Sequence, residues 1–389
     1  MTDQRLPRLV ERLHVCGVRR VHSFAWRDLD DPEAGGSEVH ADEIFRRWAS
    51  VGVELVHRTS TFDAARTFQR NGYTVVQEGG RVGVLARTPW WGLRRDRHRA
   101  DAVIDIWNGV PWWSPVWFAG PRVTWLHHLH SEMWRQSFPA PLAFAGRTVE
   151  ARIAPFLYRH EQIVTLSDTS KAGLLAHGFR DERVEVVPPG VDERFTPVQD
   201  AAESTPLIVA VGRLAPVKRY LALADSVAAC REAMPGVRLE IVGDGPDRGA
   251  LEHWRDAHDA GDWFVLRGRL SDDELVATYR RAWVAVSASV AEGWGMSLTE
   301  AAACGTPAVA TDIAGHRDAV TDGVSGVLVA DVAQVGKVVA SLVADPTRLA
   351  MLGRGAVERA ASLTWDAAAA AHLDVLVRQC EGAAGDPGG

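Results

Sequence analysis

Short apolar segments alternate along this chain with longer segments in which apolar residues recur every three or four positions. Strands that alternate with helices of about 10–15 residues form βαβ units around a parallel sheet. The alternation is clearest in the second half, where strands are predicted at 206–212, 237–243, 263–268, 283–289, 307–311 and 326–329. Helices are predicted between them over 220–234, 247–258, 272–281 and 297–304.

The first half shows the same alternation with less regularity. A helix is predicted over 37–50 and another near 146–159, and strands are predicted to end at Trp26 and to occupy 53–57, 123–128 and 163–167. Two series of βαβ units in one chain predict an α/β fold with two Rossmann-like domains.

Domain boundaries follow from the proline-rich segment 186–206, which has the composition of a linker. We therefore predict a first domain at 1–190, a hinge at 191–205 and a second domain at 206–365. A final helix is predicted over 366–380, followed by a disordered tail at 381–389.

Composition narrows the class of protein. Of 389 residues, 47% are apolar and 24% are charged, as in ordinary globular proteins. No stretch of about 18 uncharged apolar residues is present, and the amino terminus lacks the apolar core of a signal peptide. The four cysteines follow neither zinc-binding nor disulfide spacing, so we expect a reduced, cytoplasmic protein.

Charge is distributed unevenly between the two predicted domains. The net charge of −7 argues against a dedicated nucleic-acid binder. Residues 1–190 carry a net +3 and the remainder a net −10, which favours different partners for the two halves. Only three lysines are present beside 40 arginines, so the position of each lysine is informative.

The segment 291–307, AEGWGMSLTEAAACGTP, carries the strongest chemical signal. Glu292 follows a predicted strand on a glycine-containing loop, and Glu300 lies eight positions later in the predicted helix. The carboxyl ends of parallel strands are where open α/β sheets bind ligands, and a helix amino terminus favours an anion. The alternative is structural, because Ser297-Leu-Thr-Glu300 reads as a capping box.

Two further glycine loops follow predicted strands. Arg213 and Lys218 lie in Gly212–Lys218, GRLAPVK, where a guanidinium and an ammonium suit a diphosphate. Gly35 and Gly36 precede the first predicted helix and leave the backbone free to approach a ligand. Taken alone, the first is better explained as a solvated charge pair and the second as a common turn.

The segment TWLHHLHSEMW, 124–134, ends a predicted strand with two histidines. Its spacing matches no zinc-ligand set, so a hydrogen bond from His127 or His128 to a substrate is weighed against ordinary surface polarity. Residues 81–99 combine six arginines with two tryptophans, which suits an anionic acceptor or a membrane surface. An ordinary basic loop is the favoured interpretation. Glycines at 243–249 imitate a dinucleotide fingerprint with one residue too many.

In combination and in this order, the motifs resemble those of retaining glycosyltransferases with the GT-B fold, glycosyltransferase family 4. The resemblance rests on GGSE at 35–38, PPGVD at 188–192, GRL…K at 212–218, and Glu292…Glu300 with ACGTPAVATDIAGHRDAV after it. It covers nearly the whole chain and is strongest over 206–330. His316-Arg317-Asp318 departs from the family's apolar-Pro-Glu.

The resemblance implies a role for each matching residue. The first domain would bind the acceptor and the second the nucleotide-sugar across a cleft, with the helix at 366–380 crossing back to the first domain. Predicted catalytic residues are Glu292, Arg213, Lys218 and His127. Predicted donor-binding residues are Gly35, Gly36, Arg213, Lys218, Glu292, Gly293, Trp294, Gly295, Met296 and Glu300. Acceptor candidates are Ser37, Glu38, His128, Trp107 and Asn108, although Trp107 is equally suited to the core.

The predicted function is metal-independent, retaining transfer of a sugar from a UDP-, GDP-, ADP- or dTDP-sugar to a hydroxyl acceptor. No cofactor, metal or nucleic-acid partner is expected, and contact with a membrane surface is left open. The alternatives are a GT-B epimerase or phosphorylase and a non-catalytic nucleotide-sugar-binding module. An NAD-dependent enzyme is the weakest alternative, because no intact fingerprint is present.

Overall fold

The chain divides into two compact units, residues 1–190 with 365–389 and residues 191–364. The structure is a computed structural model. It describes residues 4–31, 34–61, 63–80, 83–84, 88, 100–109, 111–127, 144, 146, 148–199 and 201–385.

The first unit is built on an eight-stranded sheet in the order β3-β4-β2-β1-β5-β6-β7-β8. Every neighbouring pair is parallel except β3 with β4, which is antiparallel. The strands are β1 Arg20–Phe24, β2 Glu54–Thr59, β3 Arg66–Arg70, β4 Tyr73–Gln77, β5 Ala102–Ile106, β6 Arg122–Trp125, β7 Ile163–Thr165 and β8 Val184–Val186.

The described helices of this unit include α1 Arg5–Val15, α2 Gly36–Ser50, α3 Ser114–Trp117, α4 Ala154–Tyr158, α5 Asp168–Ala176 and, from the end of the chain, α13 Trp365–Gly385. The last helix packs against α1, α2 and β6. Its packing is fixed in part by the Trp48 indole, which donates a hydrogen bond to the Ala369 carbonyl at 2.9 Å.

The second unit is built on a six-stranded parallel sheet in the order β11-β10-β9-β12-β13-β14. Its strands are β9 Leu207–Val211, β10 Arg238–Val242, β11 Phe264–Gly268, β12 Val284–Ser287, β13 Ala308–Thr311 and β14 Gly326–Val329. Its helices are α6 Tyr220–Ala228, α7 Arg248–Ala257, α8 Asp272–Arg281, α9 Met296–Ala303, α10 Ala314–Ala319, α11 Val335–Val343 and α12 Pro346–Ala361.

The position of β9 explains why its sequence is continuously apolar. Ile208 and Ala210 pack into the hydrophobic cluster on one face of the sheet, and Leu207 and Val209 pack into the cluster on the other. A strand buried on both faces gains from an apolar residue at every position. The strand order also reverses between β9 and β12, which opens a crevice at their carboxyl ends.

The predicted α/β class with two Rossmann-like domains is confirmed, and the sheets are parallel apart from the β3–β4 pair. Among the described helices, none has both the length and the apolar character needed to cross a bilayer. The basic segment 81–99 lies outside the described residues except at 83–84 and 88.

The helix expected over 220–234 ends at Ala228, and several elements were not predicted. In chain order they are α1, the β3–β4 hairpin, β5, α3, α5, β8, α10, α11 and α12. The hairpin has a sequence signal in Asn71-Gly72, since both residues adopt positive φ as a two-residue hairpin turn requires. Strand β5 was obscured by Asp105, which is buried and accepts hydrogen bonds from Tyr158 at 2.6 Å and Ser114 at 2.7 Å.

Candidate active site

The second unit brings Lys218 and Glu292 together at the crevice between β9 and β12. Lys218 ends the single turn Pro216–Lys218 after β9, and Glu292 lies on the loop after β12. The lysine ammonium donates a hydrogen bond to Glu292 Oε1. Two residues that are 74 positions apart in sequence therefore form an ion pair at the topological switch point of the sheet.

Gly212 is the residue that gives the lysine its space. It directly follows β9 with φ of +152°, and a Cβ there would lie 2.9 Å from the Tyr220 hydroxyl oxygen and 3.2 Å from Lys218 Nζ. Arg213, the next residue, is exposed at the same strand end. The GRL…K segment thus presents both predicted cations at the carboxyl edge of the sheet.

Glu292 is held as a carboxylate. Burial acts to raise its pKa, but the Lys218 ammonium and the Ser289 hydroxyl more than offset burial, and the pKa lies below its ordinary value. The Ser289 hydroxyl donates to Oε1 at 2.7 Å. Because a carboxylate accepts about four hydrogen bonds, Glu292 keeps acceptor capacity for a ligand.

Helix α9 begins at Met296, directly after the loop. Gly295 is its N-cap residue and adopts φ of +113°, a left-handed conformation that favours glycine. Trp294 is buried, with the Arg359 guanidinium 5.8 Å from its ring centre. The predicted donor-binding residues Gly293–Met296 therefore form the entry of this helix, where backbone amides point away from the helix.

Glu300 does not cap the helix, so the capping-box alternative is wrong. The helix begins too early for it, because Gly295 rather than Ser297 is the N-cap. Glu300 Oε2 instead accepts a hydrogen bond from the Tyr279 hydroxyl at 3.0 Å. Burial raises the pKa of Glu300 to about 7.

Replacing Glu300 with glutamine is expected to change how stability depends on pH. The folded chain keeps this carboxyl protonated to about pH 7, whereas the unfolded chain ionises it near 4.5. Its contribution to stability is thus present below pH 4.5 and is lost as pH rises through 7. In urea unfolding, the free energy of unfolding of E300Q relative to that of the wild type should increase over that range. The control Glu358→Gln, at an exposed position, should show no such trend. A pH-independent difference for E300Q would contradict the assignment.

In the first unit, the glycine loop ends where α2 begins. Gly36 is the first helical residue and Gly35 the N-cap, and both are exposed. Ser37 is half-buried, whereas Glu38 is buried, accepts the Gly35 N–H at 2.8 Å and lies 3.5 Å from the Arg27 guanidinium. The prediction of Glu38 as an acceptor residue is corrected, because the third helical residue caps its own helix.

The remaining first-unit candidates follow β5 and β6. Trp107 is fully buried and packs against Tyr158 and Phe179, so its predicted stacking on an acceptor sugar is wrong. Asn108 beside it is 9% exposed. His127 is buried two residues after β6 ends, and His128 lies outside the described residues.

Sequence reasoning missed two histidines that pack around His127. His40 on α2 lies 4.9 Å from its ring centre, and His372 on α13 lies 5.1 Å from that of His40. Both are buried, and burial lowers the pKa of His372 to about 3 and that of His40 well below its ordinary value. The available signal was a histidine on the apolar face of a helical pattern, with Ile44 and Trp48 in α2.

Because these histidines are buried and neutral, we expect the free energy of unfolding to decrease at acidic pH. The unfolded chain protonates them near pH 6.5 while the folded chain holds them neutral, so stability is present above about 6.5 and falls as pH drops below it. His372→Leu should therefore lose less stability than the wild type between pH 7.5 and 5, measured by urea unfolding. A steeper decline in the variant would refute this reading, and His253→Leu, at an exposed position, should follow the wild type.

No metal-binding cluster accompanies the site. Among the residues that the structure describes, no group of three or more histidine, cysteine, aspartate or glutamate side chains could hold a metal ion. The four cysteines are free thiols.

Two family models match the chain and together span most of it. Residues 191–359 match the model "Glycosyl transferases group 1", and residues 34–195 match "Glycosyltransferase Family 4".

The curated relatives are similar over nearly their whole length. A D-inositol 3-phosphate glycosyltransferase of Streptomyces bingchenggensis is 29% identical, covering 97% of this chain and 92% of the relative. A namesake from Segniliparus rotundus is 34% identical, covering 92% and 87%.

Solved structures show the same fold. Sucrose-phosphate synthase of Thermosynechococcus elongatus matches with a TM-score of 0.78 at 19% identity, over 94% of this chain and 100% of that one. HepE of Anabaena in complex with UDP and glucose matches with a TM-score of 0.70 at 16% identity, over 95% and 100%. WaaG, a glycosyltransferase of lipopolysaccharide biosynthesis, matches with a TM-score of 0.72 at 16% identity, over 92% and 99%. The predicted GT-B architecture is confirmed.

Proposed function

The chain belongs to glycosyltransferase family 4, and from this premise we propose that it transfers a sugar from a nucleotide-diphospho-sugar to a hydroxyl acceptor with retention of anomeric configuration. The enzyme class, glycosyltransferase, is established by the family models and the named relatives. The donor class, the stereochemistry and independence from metal ions are the proposal.

The observation that carries the proposal is the Lys218–Glu292 pair at the switch point of the second sheet. Lys218 and Arg213 supply two positive charges for a diphosphate, and Glu292 supplies a carboxylate for sugar hydroxyls. Charge-assisted hydrogen bonds of this kind are the stronger ones in proteins. The HepE complexes, whose titles name UDP and UDP-glucose, support a nucleotide-sugar as the donor class.

The remaining loop residues complete the proposed donor site. The backbone amides at the entry of α9 face the diphosphate and sugar, since a helix amino terminus attracts negative charge. Glu300, half-buried on α9 and hydrogen-bonded by Tyr279 of α8, accepts the ribose hydroxyls. Two cations and a helix dipole stabilise the leaving nucleoside diphosphate as charge develops on it, and they do so without a metal ion.

No protein side chain is assigned as general base. In the proposed retaining reaction, the bond from the anomeric carbon to the diphosphate breaks while the acceptor oxygen bonds to the same face of the sugar. The leaving phosphate oxygen takes the acceptor's proton. Lys218 and Arg213 then accelerate transfer by lowering the energy of the departing anion.

Donor choice is tested by melting-temperature measurements with UDP, GDP, ADP and dTDP, followed by their sugars. A ligand that binds only the folded chain raises its melting temperature in proportion to the logarithm of ligand concentration. One nucleoside diphosphate should stand out, and no shift with any of them would contradict the proposal.

Turnover is then tested with the selected donor. D-inositol 3-phosphate, for which the curated relatives are named, is the first acceptor to assay beside neutral sugars. Nuclear magnetic resonance of the product should show the donor's anomeric configuration, and activity should survive chelation by EDTA. Binding without hydrolysis or transfer would instead support the non-catalytic alternative.

A further inference from the structure

His316 is a buried residue next to the loop that carries Glu292, and the proposed function gives it no role. It lies on α10 with no solvent exposure. Its Nδ1 lies 2.7 Å from the Thr311 carbonyl oxygen, and its Nε2 lies 3.0 Å from Ser287 Oγ. Both ring nitrogens are therefore engaged.

The two partners fix the protonation pattern of the ring. A carbonyl oxygen only accepts, so Nδ1 carries the hydrogen. Burial lowers the pKa of His316, and the two charged groups that face it, Glu292 and Lys218, act in opposite directions. The neutral ring then accepts the Ser287 hydroxyl hydrogen at Nε2. One donor and one acceptor thus link α10 to the last residues of the neighbouring strands β12 and β13.

The same elements hold the loop that carries Glu292. The Thr311 hydroxyl donates to the Ser289 carbonyl at 2.6 Å, and the Ser289 hydroxyl donates to Glu292. Gly315, the neighbour of His316, approaches so closely that a Cβ there would lie 2.5 Å from the Glu292 carbonyl oxygen. His316 joins the strand end and the helix that provide these supports.

We propose that His316 is a positioning residue, which holds α10 and the ends of β12 and β13 in the register that aims the Glu292 carboxylate at the donor sugar. The proposal rests on the function assigned above to Glu292. Its effect should fall mainly on the sugar rather than on the nucleotide, because His316 hydrogen-bonds the ends of β12 and β13 beside the Glu292 loop, whereas Arg213 and Lys218 lie on the segment that follows β9.

The test compares His316→Leu with His316→Gln. Leucine fills the space without hydrogen bonds, whereas the glutamine amide carries both a donor and an acceptor. With the nucleotide-sugar selected by the melting screen, H316L should lower kcat/KM about 5- to 30-fold, as expected for one or two lost hydrogen bonds. H316Q should recover most of that loss. Binding of the matching nucleoside diphosphate should stay within about twofold of the wild type in both.

Two further variants keep the outcomes distinct. His258→Leu is the matched control, since His258 Nδ1 also contacts a backbone carbonyl, that of Trp254 at 2.8 Å, on α7. Glu292→Gln is measured in parallel. Wild-type kcat/KM in H316L with an impaired E292Q overturns the role of His316 alone, and a fully active E292Q overturns the donor-site assignment with it.

Equal loss in H316L and H316Q also overturns the proposal, because simple packing would then explain the effect. If H316L fails to fold, the variant Ser287→Ala tests the proposal instead. It removes one partner of the ring and should lower kcat/KM about threefold with nucleoside diphosphate binding unchanged. An unaffected S287A would overturn the proposal.

Discussion

Lys218→Met is expected to lower kcat/KM for the nucleotide-sugar by about 100-fold, because it removes a charge-assisted contact to the diphosphate. It also leaves the Glu292 carboxylate without its ammonium partner in a largely buried site, where an uncompensated charge is costly. Methionine keeps the length and apolar stem of lysine, so the loss isolates the charge. Steady-state kinetics with the selected donor measures it.

The matched control for this experiment is Lys337→Met. Lys337 is exposed on α11 in the same unit and lies far along the chain from the motif residues. It should retain wild-type kinetics. A K218M enzyme with kcat/KM within about threefold of the wild type would show that the diphosphate lies elsewhere.

Removal of Lys218 should also move the acid limb of the pH profile. The pKa of Glu292 lies below its ordinary value because the Lys218 ammonium is the main group that offsets the effect of burial. Without the lysine, the carboxylate protonates at higher pH, so residual activity that needs ionised Glu292 should fall off earlier as pH decreases. The shift is read from kcat/KM between pH 5 and 8 for the variant and the wild type.

Gly315→Ala is expected to reduce activity about 100-fold, since displacement of a substrate-binding group by about 1 Å has effects of that size. The added Cβ would meet the Glu292 carbonyl oxygen at 2.5 Å and the Trp294 amide nitrogen at 2.8 Å. Neither atom belongs to a flexible side chain, so the loop or α10 must move. Overpacking of this kind typically lowers the free energy of unfolding by about 1–3 kcal/mol.

The control for the glycine experiment is Gly249→Ala on α7, where a new Cβ meets nothing within 4 Å. Alanine in a helix at an open position should leave activity unchanged and slightly increase stability. Kinetics and urea unfolding of both variants separate the loss of function from general destabilisation. Normal kinetics in G315A would show that the close approach does not position Glu292.

In the second unit, the six strands and the helices α6 to α9 were predictable because each of these segments carries its own signal, whereas α10, α11 and α12 were not predicted. Strand β9 is apolar throughout because both of its faces are buried, and α8 begins with Ser271 and Glu274, which form a capping box. Strand β5 was not predicted because a charged residue interrupts it, and the Asp105 carboxylate is satisfied partly by Tyr158, which lies 53 positions along the chain.

The sequence also identified some residues of the candidate site without determining their roles. Motif spacing identified Lys218, Glu292 and Glu300 as residues of interest, but local sequence assigned Glu300 equally well to a helix cap. Only the observed start of α9 at Met296 and the hydrogen bond from Tyr279 excluded a capping role for Glu300. Trp107 shows the converse, since its burial depends on packing that its neighbours in sequence do not reveal.

By itself, then, the amino-acid sequence determined the α/β class, the two series of βαβ units and the glycine loops that follow particular strands, because these properties depend on neighbouring residues and their periodicity. The tertiary structure decided which side chains meet: Lys218 with Glu292 across the switch point, His316 with two strand ends, and His40 and His372 around His127. Those contacts depend on strand order and helix packing, which bring together residues that are far apart in the chain.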